Sequence, residues 1–156
     1  MEALLKLSNV EKYYGSKAFV TKALDGVSFQ VEQGEFLGIM GASGSGKTTL
    51  LNCIATIDTV TAGHIELRGT DITALKDRDL ARFRMENLGF VFQDFNLLDT
   101  LTIEENIALA PVISGQEDGI RDRVRQVAKE LGIDDILGKF PYEVSGGQKQ
   151  RCACAR

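Results

Sequence analysis

The sequence predicts an α/β fold: a mixed sheet around the strand that precedes a glycine-rich loop, an antiparallel β portion contributed by the N-terminal segments, and a helical subdomain. Three observations predict it. LLKLSNV near the start and VSFQV at Val27–Val31 alternate apolar with polar residues, the period of half-buried strands. FLGIM, Phe36–Met40, is a short and nearly continuous apolar run that gives way at once to the glycine-rich GASGSGKTTLLN. From Asp77 onward, charged and apolar residues recur at helical spacing over several stretches.

The elements follow in order. LLKLSNV and VSFQV are the antiparallel strands, and QGE at Gln33–Glu35 is a turn. FLGIM is a strand covered on both faces, followed by a helix that runs through Ala55 or Thr56. HIELRG, His64–Gly69, alternates again and ends in a turn at Gly69-Thr70. DRDLARFRMENL, Asp77–Leu88, is helical, and GFVFQ, Gly89–Gln93, returns to a strand. TIEENIALAPVI is a helix interrupted at Pro111, and DGIRDRVRQVAKELGI is a second that starts near Asp118 and closes at Gly132. A last helix begins near Ser145.

Composition narrows the function classes. The 156 residues suffice for one ordinary domain, and the 44% hydrophobic and 26% charged fractions are those of a globular protein. No apolar run reaches the ~18 residues of a membrane span, and the start lacks the basic leader and apolar core of a signal peptide. The net charge of −4, with Lys and Arg interspersed among Asp and Glu, offers no basic face for nucleic acid. Cys53, Cys152 and Cys154 lack metal-ligand spacing and are expected to be reduced, small core residues. The single histidine, His64, is expected in a strand and not as a ligand.

GASGSGKT at Gly41–Thr48 matches G-x-x-x-x-G-K-[ST], and it lies between an expected strand and an expected helix. Glycines 41, 44 and 46 let the backbone curl so that its N–H groups point inward, and the helix that follows adds its positive N-terminal end. Polyphosphate is the ligand such a nest takes. Lys47 is placed to meet β- and γ-phosphate oxygens, and the Thr48 hydroxyl suits Mg²⁺, a hard cation that prefers oxygen. The expected cofactor-binding run is Gly41, Ala42, Ser43, Gly44, Ser45, Gly46, Lys47, Thr48 and Thr49. This loop alone does not separate kinases, GTPases, motors and transporter ATPases.

Two further stretches carry a specific resemblance. GFVFQDFNLL around Gln93 resembles the Q-loop of ATP-binding cassette (ABC) proteins, and VSGGQKQR at Val144–Arg151 resembles their signature motif. Both stand in family order after the phosphate loop, and the resemblance covers essentially the whole chain. It is most similar to the ABC transporter ATPases of the lipoprotein, macrolide and antimicrobial-peptide group, the bacitracin-type ones above all. The fold it implies is a P-loop NTPase of ABC type. Residues 1–94 would form the nucleotide-binding core with its β portion, 95–142 the helical subdomain, and 143–156 the signature and the start of its helix.

The resemblance also implies roles, residue by residue. Tyr14 matches the aromatic that stacks on adenine, with Tyr13 beside it offering the same kind of flat face. Gln93 matches the residue that reaches Mg²⁺ and the attacking water, so Lys47 and Gln93 are the catalytic candidates and Thr48 and Gln93 the metal ligands. Ser145, Gly146, Gly147 and Gln148 offer a hydroxyl and bare backbone N–H groups at a helix start, a second anion site. In the family the signature closes over nucleotide held by another subunit, which implies a head-to-tail dimer with two ATP molecules at the interface. The region after Gln93, with Phe95, Leu97 and Leu98, is expected to contact a membrane permease, placing the protein in the cytoplasm, peripheral to the inner face of the cell membrane, without direct insertion.

The resemblance further implies a strand ending in Asp-Glu and a switch histidine, neither of which has a position in these 156 residues. The chain is therefore expected to be the N-terminal part of a longer domain that binds Mg-ATP and, in complete form, hydrolyses it to drive transport of a peptide, lipid or drug-like substrate. By itself it is expected to bind without hydrolysing, and to be poorly soluble or to associate. The alternative is a non-transport ABC-type ATPase acting on ribosomes or DNA; the acidic charge balance and the DFNLLDTLTIEEN stretch favour the transporter reading.

Overall fold

The computed structural model describes residues 3–16, 19–116 and 118–156. The chain divides into two units, Met1–Gly89 and Phe90–Arg156.

In the first unit, the expected N-terminal strands extend into a long hairpin of β1, Leu5–Ser16, and β2, Phe19–Val31. β3, Ala62–Leu67, joins the other edge of β1, and β4, Thr70–Asp71, follows it across the Arg68-Gly69 turn. The sheet is antiparallel throughout, in the order β2-β1-β3-β4. Register shifts between Leu7 and Val10 and again around Lys12 put Leu7, Val10 and Lys12 on the buried side. Helix α1, Lys47–Ile54, buries Leu50 and Cys53 against Leu7, Val10, Leu24 and Ile65. α2, Asp77–Asn87, buries no residue fully, and Leu80 and Phe83 lean on the same core.

Phe36–Met40 departs from expectation. It has no strand pairing, and Phe36 and Met40 are 98% and 94% exposed. An apolar run becomes a buried parallel strand only where neighbouring strands take its N–H and C=O groups, and no described strand lies beside this one.

The second unit is helical. α3, Ile103–Ile113, α4, Ile120–Glu130, and α5, Gly146–Ala155, pack around Ile103, Ile107, Val124, Ala128, Ile133 and Cys152. Thr102 begins α3 with a capping box, its hydroxyl accepting from Glu105 N while Glu105 accepts from Thr102 N. Pro111 lies inside α3, which continues two residues past it. In a last turn only one intrahelical bond is lost to the missing N–H, so the expected interruption does not occur. Gly89–Gln93, expected as a strand, forms none; it runs without regular structure into a turn at Gln93-Asp94, and no described strand pairs with it. Cys53 and Cys152 are buried as expected, whereas Cys154 is exposed because it falls on the outer face of α5.

Candidate functional site

The first half of the site is the Gly41–Thr48 loop. Gly44 and Gly46 take φ values of 78° and 88°, a conformation that side chains disfavour. At Gly46 there is also no room for one: a Cβ would stand 2.3 Å from the Ala23 carbonyl oxygen of β2. β2 thus backs directly onto the loop and fixes where α1 starts. No side chain caps α1, and its first turn holds no acidic residue, so neither a cap nor a carboxylate competes with an anion for its first N–H groups. The Lys47 ammonium bends over the loop and donates to the carbonyls of Gly41 at 2.8 Å and Ala42 at 2.7 Å. That holds its charge at the mouth of the loop. Ala42, Ser43, Ser45 and Thr48 are exposed, and Thr49 is partly buried on the first turn.

Tyr14 lies beside α1, 44% exposed. Its hydroxyl donates to Asp58 Oδ2 at 2.5 Å, and its pKa is raised, chiefly by that bond and then by burial, with the Thr49 hydroxyl near enough to act in the opposite direction. The Lys12 ammonium stands 4.9 Å from the centre of the ring. Tyr13 points elsewhere, its hydroxyl bonded to Glu11 at 2.6 Å and its ring under Lys22. Tyr14 is therefore the tyrosine that shares its surroundings with the phosphate loop.

In the second unit, Gln93 is exposed on its turn. Phe95 and Asn96, which follow, both have left-handed backbones, with φ of 62° and 48°. Their carbonyls accept from Arg156, at 3.2 Å and 2.7 Å respectively. Two residues later the fully buried Asn106 side chain accepts from Leu98 N at 2.8 Å and donates to the Leu98, Leu101 and Thr102 carbonyls. Leu98 is 45% exposed, and Leu97 turns inward toward the helical core.

The signature segment forms the start of α5. The Ser145 hydroxyl accepts from Gln148 N at 3.3 Å and the Gln148 side chain accepts from Ser145 N at 2.9 Å, a second capping box. The Ser145 oxygen is used by the cap, while its own proton remains available to an acceptor. Gly146 and Gly147 are exposed, with open space where side chains would stand. Arg151, one turn on, reaches back to the Leu131 and Gly132 carbonyls at 3.1 and 3.2 Å and so ties α5 to the end of α4.

Sequence patterns did not single out Asp58, Lys12, Asn106, Arg151 or Arg156. Only Asn106 leaves a local trace, a polar residue among the apolar positions of IEENIALA. The others act through bonds to residues at least 19 positions away. No group of three or more metal-ligating His, Cys, Asp or Glu side chains occurs among the described residues. Among those residues, too, no helix is long and apolar enough to cross a membrane.

A family model described as ABC transporter matches residues 24–156. The bacitracin export ATP-binding protein BceA of Halalkalibacterium halodurans is 50% identical over 155 residues, covering 99% of this chain and 61% of the relative. The ABC transporter ATP-binding protein YxdL of Bacillus subtilis is 47% identical over 157 residues, covering all of this chain and 61% of its own length. The chain therefore spans about three-fifths of the length of these relatives. Among solved structures, the dimeric ATP-binding cassette MJ0796, in a post-hydrolysis state bound to ADP and Pi, is 36% identical with a TM-score of 0.88. That match covers 97% of this chain and 67% of the other.

Proposed function

The chain belongs to the ABC transporter family of ATP-binding proteins, and from that premise we propose that it binds Mg-ATP through the Gly41–Thr49 loop, as part of an ATPase that drives export of a peptide-like substrate through a membrane permease. The observation that carries this reading is the loop itself. Its glycine backbone curls against β2 and delivers an uncapped helix N-terminus with a lysine ammonium held at its mouth.

The residues fit the ligand. Backbone N–H groups at the start of α1 bind phosphate oxygens, and Lys47 exchanges loop carbonyls for the more strongly bonding β- and γ-phosphate oxygens. Mg²⁺, when bound, supplies charge neutralisation on those oxygens; the exposed Thr48 hydroxyl is an oxygen donor of the class it takes, and the Gln93 amide oxygen is another. Tyr14 offers a ring face to adenine. Ser145, Gly146 and Gly147 donate a hydroxyl proton and N–H groups to the γ-phosphate held by a second subunit, where they stabilise charge that builds up as water attacks in line. None of the residues assigned here activates water.

The peptide-like cargo follows the bacitracin export function printed for the 50% identical relative. Phe95 and Leu98, with the loop that Arg156 and Asn106 hold, are proposed to face the permease, and residues 1–94, 95–142 and 143–156 to serve as core, helical and signature parts. The pair of MgATP-filled interfaces makes the working unit a head-to-tail dimer on the cytoplasmic side of the membrane.

Two variants of the intact protein separate the roles. Lys47→Ala is expected to lose both ATP binding and turnover. Ser145→Arg is expected to keep ATP binding and lose turnover. If Lys47→Ala hydrolyses ATP at the wild-type rate, the loop is not the nucleotide site; if Ser145→Arg does, the signature does not act across a dimer.

A further inference from the structure

The loop that leaves α1 returns to β1 through bonds at Thr59 and Thr61 and through the Asp58 carboxylate, which alone reaches the Tyr14 hydroxyl. Thr56 turns the chain with φ 55° and is held by Arg84, whose guanidinium donates to the Thr56 carbonyl at 2.7 Å and its hydroxyl at 3.0 Å. The N–H groups of Ile57 and Asp58 both donate to the Asn52 carbonyl of α1, at 2.9 and 3.1 Å. This delivers Asp58 to β1 with both oxygens engaged. Oδ1 accepts from Lys12 Nζ at 2.6 Å and from Thr59 N at 2.7 Å, and Oδ2 accepts from the Tyr14 hydroxyl at 2.5 Å.

Lys12 completes the arrangement. It is 8% exposed, gives a second bond to the Thr59 carbonyl at 2.6 Å, and lies two residues before Tyr14 with its ammonium over one face of that ring. A cation on one face closes that face to a base. Tyr14 as a residue is nonetheless 44% exposed, so it is not sealed from a ligand on the side away from that ammonium. Tyr14 is held by its hydroxyl and one face, and the stretch that holds it is continuous with the helix that carries the phosphate site.

We infer that Asp58, braced by Lys12, is a positioning residue that fixes Tyr14 as a one-faced stacking platform for the purine, so that the base-dependent share of nucleotide affinity passes through the Asp58 carboxylate. This rests on the stacking role proposed above for Tyr14. A ring free to turn about χ1 and χ2 must be ordered when the base arrives, and that entropy cost is subtracted from the stacking energy. A pre-set ring avoids it. The triphosphate, which never meets the ring, is indifferent to the tether.

That difference supplies the test. Affinities for Mg-ATP and for magnesium tripolyphosphate are measured by titration in the intact protein and in Tyr14→Phe, Asp58→Asn, the double variant and Tyr14→Ala. Tyr14→Phe keeps the ring and loses the bond to Asp58; Asp58→Asn removes the charge that holds Lys12. Each is expected to weaken ATP roughly two- to tenfold, the range of one net hydrogen bond, with tripolyphosphate unchanged. The double variant is expected to lose no more than either single one. Tyr14→Ala sets the ceiling of the base-dependent loss. If Tyr14→Ala weakens ATP while Tyr14→Phe and Asp58→Asn bind it like the wild type, stacking stands and the positioning role falls. Equal loss of ATP and tripolyphosphate in Asp58→Asn makes Asp58 merely structural and also overturns the inference. An unchanged ratio in Tyr14→Ala removes the stacking reading on which it rests.

Discussion

Gly44 and Gly46 make a matched pair in which the structure separates backbone strain from steric exclusion. Both have φ near 80°, at 78° and 88°, and for an alanine that conformation costs about 1–2 kcal/mol. They differ in what a methyl group would meet. At Gly44 nothing lies within 4 Å, whereas at Gly46 the Cβ would fall 2.3 Å from the Ala23 carbonyl oxygen and 3.2 Å from Leu24 Cδ2. Neither neighbour yields easily: one is backbone of β2, and Leu24 is a buried core residue. Relief of such overpacking costs about 1–3 kcal/mol more. For a chain of this size roughly 2–4 °C of melting temperature accompanies each kcal/mol. A central difference of about 2 kcal/mol thus puts Gly46→Ala roughly 4–8 °C below Gly44→Ala. Thermal unfolding without nucleotide, followed by circular dichroism, reads the difference directly. Equal melting temperatures for the two variants would refute the claim that β2 backs onto the loop and sets the start of α1.

Replacing Asn106 by Leu removes the four bonds that its buried side chain makes to the 98–102 backbone; at about 0.5–1.5 kcal/mol net per bond, a loss of about 2 kcal/mol or more is expected from the urea midpoint. A loss under 1 kcal/mol would mean that the loop reorders around water at little cost. Thr102→Ala and Ser145→Ala each remove the hydroxyl of a capping box and should each lower stability by about 1 kcal/mol. Only Ser145→Ala should also reduce ATP turnover in the intact protein, and an equal reduction in Thr102→Ala would contradict the special role of α5. The bond from Lys12, and next that from Tyr14, hold the Asp58 carboxyl below the usual range. A lowered folded pKa contributes stability that is complete above the unfolded value of ~3.9 and lost as pH falls through the folded one. Acid unfolding should therefore be steeper below about pH 4 in the wild type than in Asp58→Asn, as measured by chemical denaturation across pH; parallel profiles would argue against the Lys12–Asp58–Tyr14 linkage.

What the sequence made legible is what is local. The glycine-rich loop and its helix, the helix start at Ser145 and the antiparallel start follow from residue types at short spacing, and each has its expected place. The ABC assignment from the Q-loop and signature resemblance is likewise supported by the family match. Strandedness is not local. Phe36–Met40 and Gly89–Gln93 have the composition of buried strands, yet pairing is supplied by neighbours and not by the segment itself. The bulged register that buries Lys12 is similarly invisible, because it depends on how β1 meets β2 and β3 at once. Asp58 illustrates the same limit within the site: in ATIDTVTAG it reads as a turn residue, and only the fold brings it to Lys12 and Tyr14, more than 40 positions away.

Equilibrium titration of Mg-ATP into the wild type and into Lys47→Ala tests the central claim, that the Gly41–Thr49 loop is where nucleotide binds. Saturable binding by the wild type that is lost or reduced at least roughly tenfold in Lys47→Ala is expected, since charge-assisted bonds from that ammonium to phosphate are worth about 1.5–3 kcal/mol. Binding of equal affinity by both would contradict it, and would place the nucleotide somewhere other than this loop.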